Sequence, residues 1–200
     1  TTNSHATFTD NYYVASLTDT AKIEAGEWNI KVEYPLYGTP VMTLKNAKII
    51  NGFGLWYGIF AYKQCAPLTI VLEGNNEISN PDGMSYTKVG LLNLRTLNPV
   101  TITGTGTLNM ESRGQGGVIR ALGDLTIDGP TIDIYKHRAS SSYQDAISAG
   151  TQAKDTYTGG DLVVKNATIK ITAFGNAGSC ITHGLFAGMS TNATTGATKG

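Results

Sequence analysis

The sequence predicts an all-β fold, a right-handed three-stranded parallel β-helix of about five to six coils, and three observations carry that expectation. The first is composition: 24 glycines, 27 threonines and 14 asparagines in 200 residues leave little room for helix formers and suit strands and turns. The second is a recurring segment, seen in Met42-Thr43-Leu44, Leu68-Thr69-Ile70, Val100-Thr101-Ile102, Leu125-Thr126-Ile127 and Leu162-Val163-Val164. Each places a β-branched residue between two apolar ones, the period-2 signature of a strand with one buried face. The third is that two further alternating segments recur at matching places between these.

The first strands start at residues 42, 68, 100, 125 and 162, with uneven gaps that suit coils carrying loops of different length. A second strand follows each after a short turn. Asn46-Ala47, Gly129-Pro130 and Asn166-Ala167 occupy that turn, and Ile49, Ile132-Asp133-Ile134 and Ile169-Lys170-Ile171 follow it. Ile78 follows Gly74-Asn75-Asn76, and Leu108-Asn109-Met110 follows Gly104-Thr105-Gly106. Glycine and asparagine belong there because a corner between strands often needs positive φ. A third strand precedes the next first strand: Gly58-Ile59-Phe60-Ala61, Leu91-Leu92-Asn93-Leu94, Val118-Ile119-Arg120-Ala121, Ala146-Ile147-Ser148-Ala149 and Cys180-Ile181-Thr182-His183.

One coil cannot bury its apolar stripe alone, so stacking should place Leu68, Val100, Leu125 and Leu162 in one inward column. An antiparallel sandwich is the competing all-β reading. It would put hairpin turns between neighbouring strands, whereas Gly123-Asp124 recurs as Gly160-Asp161 at one coil position. Residues 1–24 show no coil pattern and are expected to cap the N-terminal mouth, with Ile30-Lys31-Val32 opening the helix over residues 25–184. The segment 185–200 reads as a C-terminal tail or cap, because Ile181 starts a coil whose first strand does not follow.

Fifteen basic and fifteen acidic residues, only 15% charged in all, argue against a polybasic nucleic-acid surface. No apolar run is long enough to span a membrane as a helix. Low charge with abundant Thr, Asn and Tyr suits a secreted or cell-surface protein. Cys65 and Cys180 form neither a disulfide scaffold nor a C-x-x-C motif. His5, His137 and His183 read as surface or packing residues. Asp124, Asp128 and Asp133 fall in one coil, but Asp124 fits a turn and the other two belong on different faces, so they make no acid pair for hydrolysis. No nucleophile-elbow, zincin or P-loop sequence appears. The chain is expected not to be an enzyme.

Outward ladders offer candidate binding surfaces. Thr43, Thr69, Thr101, Thr126 and Val163 should form one column, best explained by β-propensity on an exposed strand. A second column, Phe60, Asn93, Arg120, Ser148 and Thr182, is flanked by Trp56, Tyr57, Tyr62 and Arg95. Sugars present C–H faces to aromatic rings and hydroxyls to Asn and Arg, while guanidinium pairs with uronate carboxylates. A long excursion over residues 135–160 adds Tyr135, Lys136, Arg138, Tyr143 and Tyr157, and loops of that length on a rigid scaffold are often functional.

The stretches Ile119-Arg120-Ala121-Leu122-Gly123-Asp124-Leu125-Thr126-Ile127-Asp128-Gly129 and Gly160-Asp161-Leu162-Val163-Val164-Lys165-Asn166 resemble secreted bacterial carbohydrate-binding β-helix proteins with a polysaccharide-lyase-like fold. The resemblance spans roughly residues 21–184 and rests on structural motifs. It implies non-catalytic binding of plant cell-wall polysaccharides, acidic pectin included, with no required cofactor. Calcium is implied by the resemblance alone, and Asp145 is its one candidate ligand; Tyr57, Gly90, Gly117 and Ser179 stand at that position in the other coils. The expected partner is therefore a polysaccharide. The alternatives are a structural or adhesive subunit that self-associates through the ends of the solenoid, and a degenerate polysaccharide lyase.

Overall fold

A computed structural model of the chain describes residues 12–13, 28–33, 39–50, 59–61, 67–80, 91–94, 96–112, 117–137, 145–150, 159–174, 183–187, 190–191 and 198–199. All regular structure among them is β. Two strands lead, β1 (Tyr12–Tyr13) and β2 (Ile30–Glu33). Triples then recur: β3 (Val41–Lys45), β4 (Lys48–Ile50) and β5 (Ile59–Ala61); β6 (Leu68–Glu73), β7 (Asn75–Asn80) and β8 (Leu92–Leu94); β9 (Val100–Gly104), β10 (Thr107–Ser112) and β11 (Ile119–Ala121). Two more triples follow, β12 (Leu125–Asp128), β13 (Thr131–His137) and β14 (Asp145–Ser148), then β15 (Leu162–Lys165), β16 (Thr168–Phe174) and β17 (His183–Phe186). A short antiparallel pair, β18 (Ser190–Thr191) and β19 (Thr198–Lys199), comes last.

Each member of a triple joins a different sheet. Sheet 1 runs β1-β2-β3-β6-β9-β12-β15, sheet 2 runs β16-β13-β10-β7-β4, and sheet 3 runs β17-β14-β11-β8-β5. From β3 onward every pairing within these sheets is parallel. Neighbours in a sheet therefore lie one triple apart in the chain, with the intervening strands serving as the crossover that parallel pairing needs.

The inward column holds in register, Leu68 opposite Val100, Val100 opposite Leu125 and Leu125 opposite Leu162. A second column of Ile70, Ile102, Ile127 and Val164 runs beside it. One buried cluster draws on all three sheets, with Ile102 and Ile127 from sheet 1, Leu108 and Ile132 from sheet 2, and Leu92, Ile119 and Ile147 from sheet 3. The corners between first and second strands are built as their residues suggest. Asn46 and Asn166 have φ of 49° and 52°, and Gly74, Gly104 and Gly129 have φ of 64°, 109° and 103°. At Gly104 a Cβ would also lie 2.3 Å from the Leu72 carbonyl oxygen, so both conformation and space demand glycine.

Several details differ from the sequence expectation. Ile30-Lys31-Val32 is not a parallel opening strand: β2 pairs antiparallel with β3, and β1 pairs antiparallel with β2. Alternation reveals which face a strand buries and not its direction; only the seven residues 34–40 separate Glu33 from Val41, too few for a parallel crossover. Met42 lies opposite Ile70 rather than Leu68, and Val41 rather than Thr43 joins Thr69 in the outward row. This two-residue slip keeps every side chain on its own face, which is why the period-2 pattern could not detect it. At the far end Leu185, not Ile181, lies opposite Ile147, and Phe186 takes the place assigned to Thr182. The strand β17 thus crosses the expected boundary at residue 184, and His183 lies opposite Asp145.

Polar side chains tie successive repeats together at the corners. Buried Asn76 accepts from the Ala47 amide through Oδ1 (2.9 Å) and donates through Nδ2 to the carbonyls of Glu73 (3.1 Å) and Thr107 (3.2 Å). The Asp161 backbone N–H donates to Asp124 Oδ1 at 2.9 Å, giving the acid of the earlier Gly-Asp step a partner in the next repeat. Three ion pairs join register partners: Lys48 with Glu77, Lys165 with Asp128, and Lys170 with Asp133. The Asn166 amide and the Lys165 ammonium both bond the Asp128 carboxylate and hold its pKa below the ordinary value.

Candidate functional site

Eight of the residues singled out as a binding surface, Trp56, Tyr57, Tyr62, Arg95, Arg138, Tyr143, Tyr157 and Thr182, lie outside the described residues. Phe60, Asn93, Arg120 and Ser148 do stand in one register row of sheet 3. That row is not uniformly open: Arg120 is half-buried, and Ser148 is only 1% exposed. Asp145 is half-buried at the start of β14. Among the described residues no group of three or more His, Cys, Asp and Glu side chains is placed to hold a metal ion.

The outer face of sheet 2 carries a different constellation. Residues 135–137 are not the start of a loop; they complete β13, which runs from Thr131 to His137. Alternation along this strand points Asp133, Tyr135 and His137 outward and Ile132, Ile134 and Lys136 inward. Tyr135 and Phe174 form a tilted pair with ring centroids 4.6 Å apart, although they come from neighbouring repeats. The His137 ring stacks on Phe174 at 5.8 Å and lies 5.0 Å from Tyr135. Its Nε2 is 3.0 Å from Glu111 Oε1 on β10. Tyr135 is 40% and Phe174 46% exposed, so the patch presents ring faces and edges to solvent while its members brace one another.

Carboxylates border this patch. Glu111 is the register partner of Tyr135 on β10, and Asp133 precedes Tyr135 by two residues on the same face. Lys170 Nζ lies 3.0 Å from Asp133 Oδ2. The geometry offers apolar ring surface flanked by hydrogen-bond acceptors, an arrangement suited to a ligand with C–H faces and hydroxyl groups.

No family model, curated protein or solved structure matches the chain. The functional reading therefore rests on this geometry.

The sequence expectation places Tyr135 in a loop and includes neither Phe174 nor Glu111; the inward lysine that follows Ile134 interrupts the apolar alternation and hides the continuation of β13. Outward positions 168, 170, 172 and 174 continue the period of β16, and that continuation was the available signal for Phe174. Lys136 itself is 1% exposed, and its Nζ donates to Ser112 Oγ at 3.2 Å, its register partner on β10. Burial lowers its pKa from 10.5 to about 8. Between those values the unfolded chain holds a proton that the folded chain has released. Stability should therefore rise as pH increases from about 8 to 10.5, by up to the order of 3 kcal/mol, with the penalty fully present below that window. Urea unfolding as a function of pH should show this slope in the wild type and lose it in Lys136→Met.

Proposed function

We propose that the chain is a right-handed three-stranded parallel β-helix that binds polysaccharide without cleaving it. Three parallel sheets built from successive triples and sharing one core support the architecture. The exposed Tyr135–Phe174 pair, braced by His137 and bordered by carboxylates, carries the functional reading. Rigid strands hold these rings, so little conformational freedom is lost when a flat sugar face settles on them. A secreted or cell-surface location fits a polymeric ligand, as do the low charge and the Thr- and Asn-rich surface. The reading requires no cofactor. Among the described residues no helix is long and apolar enough to cross a membrane.

Affinity electrophoresis against a panel of soluble polysaccharides tests this reading. Tyr135→Ala combined with Phe174→Ala should weaken binding tenfold or more, a loss of about 1.4 kcal/mol. Retention of full affinity by a folded double variant would remove the site from this face.

A structural subunit assembling through one end is a second reading, supported by a separate observation. The strands β15, β16 and β17 each lie at the edge of a sheet, where Val163, Val164 and Leu185 are 45%, 39% and 47% exposed. Such edges can accept further strands. Sedimentation velocity over a range of concentrations would reveal concentration-dependent assembly if that reading holds.

A further inference from the structure

We infer that the open edge of sheet 1 is the contact for a second copy of this chain, with β15 paired antiparallel to its own equivalent about a two-fold axis; the inference rests on the assembly reading above and names its partner and geometry. Among the described residues β15 pairs with β12 alone and ends its sheet. The Leu125 amide donates to the Asp161 carbonyl at 2.8 Å and the Gly129 amide to the Lys165 carbonyl at 3.2 Å, so residues 161, 163 and 165 turn their backbone groups toward β12. Leu162 and Val164, which alternate with them, therefore aim theirs at the open edge. The same two residues end the inward columns. Ile70, Ile102 and Ile127 are buried, whereas Val164, next in their column, is exposed, and Leu162 is half-buried beside a buried Leu125. The core stops one layer short of cover.

A second copy fits this edge in one register. Pairing centred on Val163 sets Leu162 opposite Val164 of the copy, and Val164 opposite Leu162 of the copy. Each of these pairs exchanges two backbone hydrogen bonds, since both members point across the edge. Residues directly opposite one another share a face, so the inward columns continue from one copy into the other, and the outward Val163 meets its own equivalent. The same register brings Asp161 against Lys165 of the copy, and the two-fold axis repeats that contact. Both side chains are exposed; Lys165 already reaches Asp128 at 3.2 Å, and an ammonium has three donors to share. Shifting the centre to Leu162 or Val164 loses both ion pairs. The other end of the sheet differs: it is closed by the antiparallel β2 and by β1, only two residues long, and Val32 in β2 is buried. A head-to-tail contact would pair the four residues of β15 with those two and would repeat without closing, whereas the two-fold contact closes at a dimer.

Sedimentation velocity of the full chain over a wide range of concentration tests the inference. The chain should pass from monomer to dimer and stop there. Asp161→Lys should weaken the dimer tenfold or more, because it sets lysine against lysine at both ends of the pairing, and Lys165→Glu should do the same with two acids. Mixing these two variants should restore association, since every lysine then meets an acid. In a background carrying Cys65→Ser and Cys180→Ser, Val163→Cys should form an intermolecular disulfide under mild oxidation. Facing residues at such a non-hydrogen-bonded position lie about 4.5 Å apart, within reach of the bond. Thr101→Cys, on the same outward row inside the sheet, should not crosslink. Assembly that grows beyond a dimer would overturn the two-fold pairing while leaving assembly through one end intact. So would a dimer that neither charge change weakens and that Val163→Cys does not crosslink. A monomer at every concentration would overturn the assembly reading itself, and slow amide exchange at Leu162 and Val164 in that monomer would show the edge covered by the chain's own residues. Circular dichroism and urea unfolding confirm that each variant is folded.

Discussion

Ile102→Asp should destabilise the protein by about 4–5 kcal/mol, enough to remove much of the stability of an ordinary domain. Ile102 is fully buried and sits between Ile70 and Ile127 in adjacent strands, themselves no more than 1% exposed. An aspartate there loses the packing of a buried isoleucine and places a carboxylate among apolar neighbours, with no described cation in the column to pair it. Ile127→Asp should behave alike. Thr101→Asp, one residue away but on the outward row between Thr69 and Thr126, should change stability by about 1 kcal/mol or less. Urea denaturation midpoints at constant m-value make the comparison. Equal losses at Ile102 and Thr101 would refute the inside–outside assignment of sheet 1.

Asn76→Leu should cost about 2–4 kcal/mol despite its nearly equal size and its place in register with Leu108. Leucine matches the apolar neighbours, yet it strips an acceptor from the Ala47 amide and a donor from the Glu73 and Thr107 carbonyls. Those groups belong to three successive repeats, and buried backbone atoms left unpaired incur a desolvation cost. Amide exchange should accelerate at Ala47 if its bond to the side chain is lost. Unchanged stability and unchanged exchange at Ala47 would show that the side chain holds nothing together.

Asn76 also marks how far a linear pattern reaches. Its neighbours in register are apolar, and the Gly74-Asn75-Asn76 run looked like a corner. The corner is real, but the inward turn of Asn76 toward three backbone partners follows only once neighbouring repeats are stacked. Lys136 shows the opposite case: a lysine breaks the apolar alternation after Ile134, and only the stacked Ser112 beside it makes an inward amine compatible with a strand.

By itself, the sequence determined the all-β composition, the inward columns through Leu68, Val100, Leu125 and Leu162, and the Asn and Gly corners. Each of these depends on local physics: two-residue alternation, β-propensity, or the φ that a residue tolerates. Only the tertiary structure decided the two-residue offset of β3 on β6, the pairing of Leu185 with Ile147, and the meeting of Tyr135 with Phe174. Alternation is blind to shifts by two residues, and a contact between side chains 39 positions apart is created by strand stacking. The candidate site belongs to this second class because its rings come from one repeat and the next, and no single stretch of chain contains it.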